Sequence, residues 1–241
     1  PVVLKLPKYL LGLSSLYDNL SWDPSKGTEV IVIPLKTPHQ VIRFSTDAFF
    51  QWHFVNAFEQ GSNEVVVDYI RYPNMNTYHG FEAIMKDSIG EGFDGTYHRA
   101  YLNLEKKQLC SEQQLDKICE FPKVAPAVEG LPHRYVYLAS HSDKIAATTG
   151  VQNQLIRLDV KSGQATAFAL ESEHYPSEPI FVPTKDSACE EDGYLLSLVY
   201  DGKKNQSFVG VWNSKTPLAP PLAKIHWDQP LPFTFHGIFV K

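Results

Sequence analysis

Two histidines stand where their chemistry would be unusual for a plain core. His53 lies in Gln51-Trp52-His53-Phe54-Val55-Asn56-Ala57-Phe58-Glu59, and His236 in Phe235-His236-Gly237. Between them come two carboxylates in tight apolar settings, Glu120 in Cys119-Glu120-Phe121-Pro122 and Glu178 in Ser177-Glu178-Pro179-Ile180. Neutral imidazole is a common ligand for iron, zinc and copper. A ligating histidine usually donates its other ring N–H to an acceptor, often a carboxylate. An imidazole buried among Phe49, Phe50, Trp52, Phe54 and Phe58 needs a partner for each nitrogen, and a metal with a carboxylate supplies both. Two histidines and two carboxylates make half of a metal site.

The elements that must position these residues are strands. Short β-branched and aromatic runs recur at 29–35, 64–72, 97–104, 134–139, 154–160, 164–170, 179–182, 194–200, 207–212 and 222–227, separated by Gly, Pro, Asn and Asp. That pattern predicts an antiparallel all-β protein. Leu155 to Val160, then Lys161-Ser162-Gly163, then Gln164 to Phe168 reads as a hairpin whose glycine tolerates positive φ. Ser111 to Cys119 reads as a strand delivering Glu120, with a helical turn capped by Ser111 as the alternative. Residues 74–96 are rich in Gly, Asn and Asp and read as a long loop over one face, a lid or substrate wall, with a variable surface loop as the alternative. No linker interrupts the chain, so residues 1–241 are taken as one unit.

The 241 residues carry 22 basic and 27 acidic side chains, a net charge of −5, which leaves no electrostatic footprint for nucleic acid. The three cysteines, Cys110, Cys119 and Cys189, are odd in number and not in a zinc pattern, which favours a reducing, cytoplasmic setting, with one disulfide plus one thiol as the alternative. No apolar run reaches the roughly 18 residues of a membrane span, and no secretory signal is visible. The chain begins at Pro1, so it is read as lacking its natural start.

Five segments, in this order, resemble the carotenoid cleavage oxygenases, a family that includes apocarotenoid, epoxycarotenoid and stilbene-cleaving dioxygenases and the visual-cycle isomerohydrolase. They are His53-x-x-Asn56-Ala57-Phe58-Glu59; Cys119-Glu120-Phe121-Pro122; His133-Arg134-Tyr135-Val136-Tyr137; Glu178-Pro179-Ile180-Phe181-Val182-Pro183 with Glu191-Asp192-Gly193-Tyr194-Leu195-Leu196; and Pro232 through Gly237. The resemblance implies a seven-bladed β-propeller with iron(II) held on its axis by four histidines, three of them oriented by glutamates. It implies that His53 and His236 are two of the iron ligands, with Glu120 behind His53 and Glu178 behind His236. The reaction it implies is cleavage of a conjugated C=C bond of a carotenoid, apocarotenoid or stilbene-type substrate by O₂; isomerohydrolase chemistry uses the same ligands.

The first two ligands of that family should precede His53. The only upstream histidine, His39, sits in the polar turn Lys36-Thr37-Pro38-His39-Gln40. The chain therefore resembles the C-terminal half, only the C-terminal blades, with the N-terminal half as its missing partner. Two further readings follow: a direct ligand role for Glu120 or Glu178 in a two-histidine, one-carboxylate site, and a noncatalytic propeller piece that acts as a binding module. Such a piece would expose strand edges and apolar surface.

Other positions are assigned plainer roles. His79, His98 and His141 are taken as lacking ligand context, His133 as packing on its strand, and His174 and His226 as exposed or interfacial. Asn56 and Glu59 hold the ligand strand. Phe49, Phe50, Trp52, Phe54 and Phe58 are core, with some lining a tunnel for a polyene. Leu10-Leu11-Gly12-Leu13 is a candidate for peripheral membrane contact, with a buried strand end preferred.

Overall fold

The structure is a computed structural model that describes residues 1–84, 86, 92–143, 151–187, 189–232 and 234–240. Four short strands come first: β1 (Val2–Leu4) pairs β2 (Leu20–Trp22), and β3 (Thr28–Val32) pairs β4 (Ile42–Thr46). His39 lies in the turn between β3 and β4, as its polar context implied.

A seven-stranded antiparallel meander follows: β5 (Phe54–Glu59), β6 (Glu64–Arg71), β7 (Thr96–Asn103), β8 (Gln108–Lys123), β9 (Tyr135–Ser140), β10 (Gln154–Asp159) and β11 (Gln164–Ala167), each hydrogen-bonded to the next. It is two four-stranded sheets sharing one strand. Residues 108–118 of β8 pair β7, and Cys119, Glu120 and Lys123 pair β9. The segment 111–119 is thus strand throughout, and it delivers Glu120 where the chain passes from one sheet to the next.

The last sheet contains β12 (His174–Pro176), β13 (Ile180–Pro183), β14 (Gly193–Asp201), β15 (Gln206–Asn213) and β16 (Ala223–Trp227). β12 and β13 both pair β14, at opposite ends of it, and Glu178 sits in the break between them. Successive antiparallel meanders of this kind are blades of a β-propeller. Gly163 turns the β10–β11 hairpin at φ 72°, a value that suits glycine.

The core runs between the sheets. Tyr137 and Phe181 stack with ring centroids 5.2 Å apart, and Trp212 and Leu195 are fully buried in the same cluster. A second cluster gathers Ile70, Tyr72, Tyr97 and Leu138. All six residues of β9 are buried, because it is covered on both faces.

Several expectations change. Within 74–96 the chain forms a helix, α2, once the short α1 (Leu6–Leu10) is counted; α2 spans Thr77–Ile84, and residues 85 and 87–91 lie outside the described set. Gly, Asn and Asp set the ends of this segment, while the local run Tyr78, Phe81 and Ala83 supports a helix between them. Leu10, Leu11 and Leu13 are not a buried strand end: each is 72% exposed, at the end of α1 and the turn after it. His174 is buried, edge-on to Phe208 and 3.6 Å from Asp201.

His133 precedes β9 instead of packing on it, and its side chain is fully buried. Its Nε2 lies 3.0 Å from Asp68, which also accepts two bonds from Arg99 and one from Tyr97. Burial pushes the Asp68 carboxyl up, but the bonds from Arg99, His133 and Tyr97 outweigh burial and leave it below the usual range.

Candidate metal centre

His53 sits one residue before β5, where the ladder with β6 is irregular between Phe54 and Asn56. Its carbonyl accepts from Ile70 N, and Phe50 bridges Tyr72, so the segment is pinned on both sides of the imidazole. Asn56 fastens the start of β5 to the loop before β9. Its amide donates to Val128 O and Leu131 O and lies 3.1 Å from His133 Nδ1, while its oxygen accepts from Gly130 N. The strand-holding role assigned to Asn56 thus has a specific form; Glu59 is exposed at the far end of β5.

Glu120 reaches the same place from β8. The register with β9 shifts between Glu120 and Lys123, and Phe121 takes φ 52°, a left-handed value that is rare for a bulky residue. This local kink turns the carboxylate inward. Oε2 accepts from His53 Nδ1 at 2.6 Å and from Phe121 N at 2.6 Å; Oε1 accepts from the Tyr72 hydroxyl at 2.7 Å. Burial first, and then Glu120, push the Tyr72 phenol well above its usual range, so it stays protonated and donates.

His236 arrives on the segment after β16, whose described residues form no helix or strand. Its Nδ1 lies 3.1 Å from Glu178 Oε1, and Gly237 N donates to Glu178 Oε2 at 2.9 Å. Gly237 packs closely on β13: a side chain there would come within 2.9 Å of Ile180. Leu231 N donates to Ser207 Oγ and ties the same segment to β15.

The two rings meet. His53 Nε2 and His236 Nε2 are 3.3 Å apart, with ring centroids at 5.0 Å and planes at 77°. Each Nδ1 faces a carboxylate, which assigns the N–H to Nδ1 and leaves a lone pair on each Nε2. Two facing lone pairs repel unless a cation lies between them. Bonds of about 2.1 Å at 90–109° would set two ligand nitrogens about 3.0–3.4 Å apart, so the pair fits one metal ion. Both carboxylates lie on the Nδ1 side of the rings, away from that point, and this geometry does not favour a direct ligand role for either. Among the described residues no three His, Cys, Asp or Glu side chains are grouped to hold a metal. Among the described residues, two imidazoles converge on this point.

Both rings open onto a cavity of about 580 Å³ whose apolar wall includes Trp52, Phe81, Phe93, Phe121 and Phe235. Of the five aromatics around His53, only Trp52 lines it. Phe49 is core, Phe50 packs on Trp52, Phe58 packs on His133, and Phe54 is 64% exposed. Phe81 comes from α2, an element read as loop, and the kink at Phe121 has no signature in composition. Tyr72 and Lys123, which touch the two glutamates, carry no motif of their own either. The remaining histidines stay apart. His79 pairs with Tyr17; His98, beside Ser111, is lowered to about 4 by burial and then by Arg71; His141 is buried; and His226 is exposed.

A family model described as retinal pigment epithelial membrane protein matches residues 1–241. The apocarotenoid-15,15'-oxygenase of Synechocystis is 29% identical over 240 residues, which are 97% of this chain and 47% of that protein. The carotenoid 9,10(9',10')-cleavage dioxygenase 1 of Arabidopsis thaliana is 26% identical over 232 residues, 91% of this chain and 42% of that protein. A crystal structure of cobalt-substituted Synechocystis apocarotenoid oxygenase superimposes with a TM-score of 0.86 at 25% identity, over all of this chain and 49% of that one. The chain spans about half the length of the curated relatives it matches.

Proposed function

This chain belongs to the retinal pigment epithelial membrane protein family, and from that premise we propose that it is the C-terminal portion of a nonheme iron(II) dioxygenase. The reaction is cleavage of a conjugated C=C bond of a carotenoid or apocarotenoid by O₂, giving two carbonyl compounds; a stilbene-type substrate fits the same chemistry. The observation that carries the proposal is the convergence of His53 Nε2 and His236 Nε2 at 3.3 Å, beside an aromatic-walled cavity.

Iron(II), when bound, supplies the redox chemistry with O₂. The chain's own residues do the rest. His53 and His236 would hold the ion through Nε2. Glu120 and Glu178 keep the protons on Nδ1, fix both ring orientations and supply negative charge behind neutral ligands. Trp52, Phe81, Phe93, Phe121 and Phe235 accept an apolar chain beside the rings and exclude water. The exposed Leu10, Leu11 and Leu13 belong to the same proposal, as a peripheral membrane contact from the cytoplasmic side. No described helix is long and apolar enough to cross a membrane.

The test is iron analysis of the protein loaded with Fe²⁺, followed by assay with an apocarotenoid under O₂. His53→Ala should abolish iron binding; wild-type iron content in that variant would sink the assignment. A second reading, a catalytically incomplete propeller piece that acts as a binding module, is favoured by the chain's span of about half the length of the relatives it matches. Stoichiometric iron with O₂-dependent turnover by this chain supports the enzyme, and no bound metal supports the second reading.

A further inference from the structure

The two carboxylates behind the imidazoles differ in charge environment. Among the described residues, Glu120 accepts from His53 Nδ1, Phe121 N and the Tyr72 hydroxyl. Glu178 accepts from His236 Nδ1 and Gly237 N, and its Oε1 also lies 3.0 Å from the Lys123 ammonium. Lys123 and His236 therefore share one oxygen, at 3.0 and 3.1 Å. The Glu178 side chain is 4% exposed, so this carboxylate has little water to make up for what its partners withdraw. Lys123 is the last residue of β8, and its side chain spans from that strand to the break between β12 and β13.

We propose that Lys123 tunes the His236 side of the site through Glu178: its ammonium offsets the charge of that carboxylate and so lowers the affinity of the imidazole pair for a divalent cation. The inference rests on His53 and His236 being ligands. A carboxylate behind an imidazole raises its basicity toward a metal, and an ammonium on the same oxygen removes part of that effect. The ammonium also repels a divalent cation held nearby, with an interaction that salt screens.

The test titrates the full chain with Co²⁺, followed by visible absorption and by chelator competition. Wild type is compared with Lys123→Met, Lys123→Gln and Lys123→Arg, each checked for native near-ultraviolet circular dichroism. At roughly 0.01 M salt, Lys123→Met and Lys123→Gln should bind Co²⁺ about three- to tenfold more tightly than wild type. Lys123→Arg should bind like wild type, and the gap should narrow at roughly 0.5 M salt. Equal or weaker binding by both uncharged variants overturns the inference while leaving the ligand reading intact. Weaker binding with lost thermal stability makes Lys123 a structural strut and also overturns it. No Co²⁺ binding by wild type overturns the ligand reading, and the inference falls with it.

Discussion

The Nε2 atoms of His53 and His236 face each other at 3.3 Å although 183 residues separate them in the chain. Each ring is turned to that point by a carboxylate on its far side. Glu120→Gln keeps the shape of the group that meets His53 and removes its charge. Affinity for Co²⁺ should fall by about 10–100-fold, as measured by titration of the folded variant. Unchanged affinity would show that Glu120 does not act through His53.

Tyr72 caps the other oxygen of Glu120 from within the core. Tyr72→Phe leaves that oxygen without its donor and should destabilise the fold by about 1–3 kcal/mol, read from the urea midpoint. Gly95 supports the same contact from behind: a methyl group there would come 2.5 Å from the Tyr72 Cζ and 2.8 Å from its hydroxyl. Gly95→Ala should therefore push the ring off Glu120 and lower both stability and Co²⁺ affinity. A Gly95→Ala protein that matches wild type in both measurements would refute the relay from Gly95 to His53.

Asp68 makes stability depend on pH in the acid range. Its folded pKa lies below the unfolded one, because Arg99, His133 and Tyr97 together overcome the cost of burial. A carboxyl depressed in this way adds stability above its unfolded pKa of about 3.9 and loses it as pH falls through the folded value. Wild type should thus lose stability below about pH 4, and Asp68→Asn should show a shallower loss there. At pH 7 Asp68→Asn should be less stable by about 3–5 kcal/mol, since Arg99 is left partly buried without its counter-charge. Urea unfolding at both pH values checks the two claims.

Asn56 satisfies three backbone groups of the loop before β9, and it sits three residues after His53. Asn56→Ala should cost about 1–3 kcal/mol for each buried partner left unpaired. It should also weaken Co²⁺ binding, because the start of β5 loses its anchor. A variant with lower stability and wild-type Co²⁺ affinity would confine Asn56 to a structural role.

The strands were largely legible because alternation is a local signal. The run at 64–72 became β6 and that at 194–200 became β14, each with nearly the expected bounds. Local composition misled where termini and interior disagree, as in α2, and where exposure depends on neighbours, as at His174 and Leu10. The four candidate site residues were legible through ordered motifs. Tyr72 and Lys123 were not, since neither residue type, in a strand end, announces that its side chain will meet a carboxylate contributed by another part of the chain.

The residue types are legible in the chain itself: imidazoles and carboxylates among apolar neighbours, carried on antiparallel strands. Local periodicity and side-chain chemistry need no tertiary contact to be read. The tertiary structure alone decided which groups meet. His53 reaches Glu120 across 67 residues and His236 reaches Glu178 across 58, distances set by how the sheets stack. It also decided the charge on each pair, because the sharing of a Glu178 oxygen between Lys123 and His236 follows from where β8 ends relative to the β12–β13 break. The difference is one of range: a strand's pattern is written within a few residues, whereas the field at a buried site is the sum of groups brought together by folding.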